Sequence, residues 1–178
     1  MEQKTAGSPG PIASGLRAFG FLTAVESGSH GVFGGYLLVD SLGRPLEFHC
    51  TAPVKVSRAQ QILFGSTLRA HLHGQQIGGT LLAEGTVTPE VVLTDLDAML
   101  HVRSYTTLPV ALVQGEAATT AVISAGRFPL GNANVSPHPS DADGEEKLRE
   151  KLAELAAAVD LCEPFERIRA AIDEAQRH

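Results

Sequence analysis

The stretch Glu47-Phe48-His49-Cys50-Thr51 places a carboxylate, an imidazole and a thiol within one short run. A thiolate nucleophile needs a base at its sulfur. On an extended strand, however, adjacent side chains leave on opposite faces, so His49 does not reach Cys50. Cys50 would need a distant histidine such as His71, His73 or His101, and no nucleophile motif surrounds it. It reads instead as a small buried hydrophobe, the common role of a free cysteine. A metal centre is the other use of these residues, with Glu47 and His49 on one strand face and His71 and His73 as further ligands. Residues two apart on a helix diverge, so His71 and His73 would converge only from irregular backbone. The expectation is therefore no catalytic set, no metal site and no cofactor, with Cys50, His49, His71 and His73 as the residual candidates.

Main-chain amides offer a different chemistry. Ser57-Arg58-Ala59-Gln60 fits a capping box, and a helix start flanked by Lys55 and Arg58 combines free amides, a dipole and two cations. With Arg44 these residues, Lys55, Ser57 and Arg58, form the expected ligand site, for a small anion. Gly74-Gln75-Gln76-Ile77-Gly78-Gly79-Thr80 lacks the Gly-Lys-Ser/Thr ending of a phosphate loop, and the Gly31–Gly35 run enters a strand rather than leaving one.

The elements that must position these residues follow from periodicity and turn chemistry. The Leu16 to Val54 span reads as a three-strand meander, broken at Ser27-Gly28-Ser29 and at Asp40-Ser41-Leu42-Gly43. The second strand is apolar on both faces and looks central. The third alternates, with Leu46, Phe48 and Cys50 facing the core and Glu47, His49 and Thr51 facing out. A short helix runs from Ser57 to Gly65, and Ser66 caps a second carrying Leu68 and Leu72. Gly74, Gly78 and Gly79 predict irregular or closely packed backbone beyond it. Val91 to Leu93, Leu108 to Val113 and Thr119 to Ser124 are further strands, and Asp95 to Val102 is a short helix. The Gly, Asn, Pro and Ser content of 125–143 reads as a linker. Asp143 then caps a helix with Leu148, Leu152 and Leu155 on its stripe, and Pro164 opens another with Phe165, Ile168 and Ile172. The expected architecture is α+β: a largely antiparallel sheet of five or six strands with helices on at least one face, followed by a helical hairpin. The corresponding division is a disordered 1–15, an α+β body over 16–124, the linker, and the hairpin over 144–178.

Composition then bounds the function. With 178 residues and 43% hydrophobic content the chain can build its own core. Two widely spaced cysteines do not make a secreted disulfide framework, and no apolar run suits a signal peptide or a membrane span. A cytoplasmic location is the expectation. The net charge of −6 sits mostly in the tail: residues 141–178 hold 11 acids against 6 bases, and residues 1–140 hold 9 against 8. Dispersed cations, an acidic tail and the absence of Trp disfavour nucleic acid as a partner. The amphipathic hairpin points instead to a non-enzymatic binding or assembly subunit, working by protein–protein contact or self-association through Leu148, Leu152, Leu155, Phe165, Ile168 and Ile172. A small hydrolase or transferase using the Arg44 to His73 segment, or a phosphate or nucleotide sensor, is the alternative.

Overall fold

A computed structural model of the chain describes residues 16–115 and 126–177. The first fifteen residues, and the strand expected at Thr119 to Ser124, lie outside the described residues. Strands β1 (Ala18–Ser27), β2 (Gly31–Asp40) and β3 (Pro45–Cys50) form the expected antiparallel meander. Beyond it come β4 (Val92–Thr94), β5 (Val110–Gly115), β6 (Phe128–Leu130) and β7 (Ala133–Pro137), giving one sheet in the order β3-β2-β1-β4-β5-β7-β6. The α+β class holds, but among the described residues the sheet has seven strands and is mixed, because β4 and β5 run parallel to β1. A parallel neighbour needs a long crossover, and the helical segment from Arg58 to Glu84 supplies it.

The Gly/Asn/Pro-rich span expected to be a linker contributes β6 and β7 to the sheet. Gly126 and Gly131 adopt positive φ, so the turns close on residues that tolerate it, and β7 pairs with both β5 and β6. Asp141 fixes the exit: its carboxylate accepts from the Val110 amide at 3.1 Å and from the Arg103 guanidinium. Helix α3 (Glu145–Ala158) starts after Gly144, and no Asp143 side-chain cap forms.

Both sheet faces are covered. On one, α3 and α4 (Glu163–Gln176) bury Leu148, Leu152, Leu155, Phe165, Ile168 and Ile172 against Phe19, Phe21, Leu37, Val39, Leu93 and Val135. On the other, a π-helical segment (Ala70–Gly79), α2 (Thr80–Glu84) and a 3₁₀ helix (Asp97–Tyr105) cover Leu22, Tyr36, Leu38, Val92 and Val110. Adjacent glycines on β2 admit both layers. A Cβ at Gly34 would collide with Ile77, and one at Gly35 with Ile168. Gly74 and Gly78 likewise let the π-helical segment approach His101 and Val102 of the 3₁₀ helix, which accounts for the irregular backbone expected there.

From Glu47 to Cys50 the facing of β3 is the reverse of that expected, while Leu46 packs against the core as expected. An irregularity between Leu38 and Val39 lets Leu38 pair with Glu47 and Val39 with Pro45. The extra residue, Leu46, resets the alternation. Glu47 and His49 turn toward the helical layer that holds α2, while Phe48 and Cys50 take the other face and are exposed.

Candidate functional site

The parallel register Leu22↔Thr94 carries one residue further, so Thr23 and Asp95 stand side by side where β1 and β4 approach their carboxyl ends. Both project toward the α4 layer. Thr23 is fully buried, and its hydroxyl donates to Asp95 Oδ1 at 2.6 Å. Arg169 of α4 reaches the same pair, its guanidinium bonded to Asp95 Oδ2 and lying 3.4 Å from the Thr23 hydroxyl. A hydroxyl, a carboxylate and a guanidinium thus converge at the carboxyl ends of parallel strands, the edge at which open sheets containing parallel strands bind ligands. Cys162 lies beside this cluster. Its thiol is pushed up by burial, with Asp160 and Asp95 adding to the effect, so it is a poor nucleophile.

Further cations border this edge. The Lys55 stem lies against Gly31, the first residue of β2, just past the turn that follows β1. Arg69 approaches Asp97, two residues beyond Asp95, at 3.9 Å. Three of the hairpin acids are engaged locally, Glu145 with Arg149, Glu163 with Arg167 and Asp173 with Arg177, each at helical i,i+4 spacing.

The residues singled out from sequence do not converge. Arg44 lies at the opposite end of the sheet, held by Asp40, so the expected positive island is split. Ser57 does form the capping box, accepting from the Gln60 amide while Gln60 accepts from the Ser57 amide, and its oxygen is thereby used. Arg58 is paired to Gln61 on the same seven-residue helix, α1 (Arg58–Phe64). His71 stacks on Phe64 with ring centroids 4.3 Å apart. His73 is buried and donates from Nδ1 to the Arg69 carbonyl, and burial holds it below the ordinary histidine value. Cys50 is exposed, which corrects its assignment to the core, because the reset of β3 turns it outward. Among the described residues no group of three or more His, Cys, Asp or Glu is arranged to hold a metal ion.

Glu47 and His49 do meet, as their shared strand face requires. His49 Nε2 donates to Glu47 at 2.8 Å, and Glu47 also accepts from the Thr86 hydroxyl and from the Thr86 and Val87 amides. Burial works to raise this carboxyl, but the donors outweigh it and hold it at about 2. Glu47 is a clamp between β3 and the segment after α2.

Thr23, Asp95 and Arg169 escaped the sequence reading. Asp95 directly follows the buried strand β4, although by sequence alone it suits a helix start. The one signal in its favour is that position, because a carboxylate at the carboxyl end of a buried strand is placed for ligands rather than for packing.

No protein-family model matches this chain, and no curated protein sequence matches it. Solved structures similar to it include human endonuclease V, at 14% identity and a TM-score of 0.47 over 89% of this chain and 87% of that one. The catalytic domain of human endonuclease V is similar at 12% identity and a TM-score of 0.44, over 92% and 85% of the two chains. Endonuclease V of Ciona intestinalis, bound to a 24mer DNA containing an inosine followed by a ribo-adenosine, is similar at 14% identity and a TM-score of 0.40, over 78% of this chain and 58% of that one.

The packing of the hairpin corrects the expected role as a non-enzymatic assembly subunit, and with it the preference for a protein partner over nucleic acid. The hairpin's apolar stripes are spent on the chain's own sheet, which removes the surface that carried the protein-contact reading. No helix among the described residues is long and apolar enough to cross a membrane.

Proposed function

We propose that this chain engages the phosphodiester backbone of nucleic acid along the carboxyl-end edge of β1 and β4, in the cytoplasm. The observation that carries the reading is the Arg169 guanidinium held beside Thr23 and Asp95 at that edge. A guanidinium presents several donors in a planar fork suited to phosphate oxygens. Asp95 fixes the fork in place, and the Thr23 hydroxyl lies within reach of the same head group. Lys55 and Arg69 extend the positive character away from Arg169 along an exposed border rather than closing around one point. Cations spread along an edge suit a polyanion contacted at successive phosphates better than a single compact anion. By their names, the human and Ciona proteins are endonucleases; for this chain the reading rests on the edge itself. Asp95 is tied to the Arg169 guanidinium, so the proposal is one of recognition.

The test is fluorescence anisotropy with a labelled single-stranded DNA and the matching RNA, for wild type and for Arg169→Gln combined with Lys55→Gln and Arg69→Gln. The wild type should bind, with affinity falling as salt rises by a log–log slope of roughly −2, since each phosphate contact on a single strand contributes about −0.7. The triple variant should lose most of that slope and at least about tenfold in affinity. Equal binding by the two proteins, or no binding by wild type at low salt, overturns the proposal.

A further inference from the structure

Tyr36 is only 1% exposed, and its ring crosses β1 over Gly20. A Cβ at Gly20 would stand 2.8 Å from Tyr36 Cε2 and 3.0 Å from its oxygen, so glycine is what lets the ring lie there. No hydrogen bond from a described residue reaches the Tyr36 hydroxyl. Yet among the described residues no fully buried side-chain oxygen or nitrogen lacks a partner. The oxygen therefore meets open space, and that space is a cleft of about 210 Å³ walled by Leu82, Val87, Thr88, Tyr105 and Leu108. A donor that opens into a narrow cleft is met there by water alone, and a bound acceptor can take that water's place. Burial, with Glu47 adding to it, pushes the phenol above its ordinary value, so Tyr36 remains a donor across the physiological range.

We infer that this cleft is a second binding site, independent of the carboxyl-end edge, for a small uncharged ring carrying a carbonyl acceptor that takes the Tyr36 hydroxyl. Three features set the ligand class. No charged side chain lines the cleft, so an ion would lose its hydration without a counter-charge. The walls combine aliphatic side chains with the Tyr105 ring, which suits a flat apolar body. The volume exceeds the roughly 150 Å³ that accommodates a benzene ring, leaving room for one polar substituent. The site lies near the amino ends of β1 and β4, since Gly20 is near the start of β1 and its amide donates to the Val91 carbonyl just before β4.

The experiment is a ¹H–¹⁵N NMR titration of the full chain with 2-pyridone, a neutral ring bearing one carbonyl, against toluene as a probe without an acceptor. Saturable shifts should appear at the Val87, Thr88, Thr106 and Leu108 amides with 2-pyridone, and toluene should bind more weakly. Tyr36→Phe keeps the ring and removes only the unpaired hydroxyl, so it should fold and bind 2-pyridone about tenfold more weakly while toluene binding holds. Leu82→Trp, which fills the cleft from its rim, should abolish both. The inference is overturned by the absence of saturable shifts at these amides in wild type, or by undiminished 2-pyridone binding to Tyr36→Phe, which would mean that water alone meets the hydroxyl.

Discussion

A chain ending at Gly144 should not hold a native body, although the cut falls outside every strand. It keeps the seven described strands and the Asp141 clamp on Val110 and Arg103. What it loses is the cover of one sheet face: Leu148, Leu152, Leu155, Leu161, Phe165, Ile168 and Ile172, each at most 4% exposed. Burying one such side chain is worth about 1.5–3 kcal/mol, so the group contributes on the order of 10–20 kcal/mol as an upper estimate. Domains of this kind are stable by only about 5–15 kcal/mol. The truncated chain also exposes Phe19, Phe21, Leu37 and Leu93 as a contiguous apolar face. Size-exclusion chromatography and a thermal melt followed by circular dichroism are the assays. Aggregation or a non-cooperative melt is expected; a soluble monomer with a sharp transition would refute the assignment of the hairpin to the core.

Other predictions bear on single residues. Glu47→Gln should destabilise the protein near neutral pH. Because the folded carboxyl is held at about 2 against an ordinary 4.5, its contribution is present above the ordinary value and fades as pH falls toward 2, so the two melting temperatures should converge in acid. A constant gap would mean that Glu47 does not act through its charge. Cys50 should be alkylated rapidly in the native protein and Cys162 slowly, as mass spectrometry of timed samples would record, because the first is exposed and the second is half-buried with its thiol pushed up. Equal rates would contradict the reset of β3. Gly35→Ala drives a methyl into Ile168 and should cost about 1–3 kcal/mol by chemical denaturation, partly relieved by Ile168→Val. A neutral outcome would place α4 further from β2.

Local chemistry in this chain was legible wherever it acts over a few residues. The Ser57–Gln60 capping box, the Gly65 helix end, the turn at Asp40 to Gly43 and the central character of β2 all follow from residues close together in sequence. What depends on long-range pairing was not. Alternation fixes which residues share a face but not which strands are neighbours, so the parallel placement of β4 and β5 had no signal. At β3, one irregular residue left Leu46 against the core but inverted the facing from Glu47 to Cys50, which moved Cys50 to the surface and Glu47 into a clamp. The β6–β7 hairpin was hidden because its Gly, Asn and Pro content resembles a linker, and its order comes from pairing with β5. The site suffered most: Thr23, Asp95 and Arg169 are separated by 72 and 74 residues and meet only through the sheet order and the docking of α4.

That convergence makes NMR mapping of a single-stranded oligonucleotide on the ¹⁵N-labelled full chain the most direct measurement. Binding at the proposed edge should perturb the amides around Thr23, Lys55, Asp95 and Arg169, with those of the Asp40 to Arg44 turn at the far end of the sheet unchanged. Perturbations centred on Arg44, or none at low salt, would contradict it.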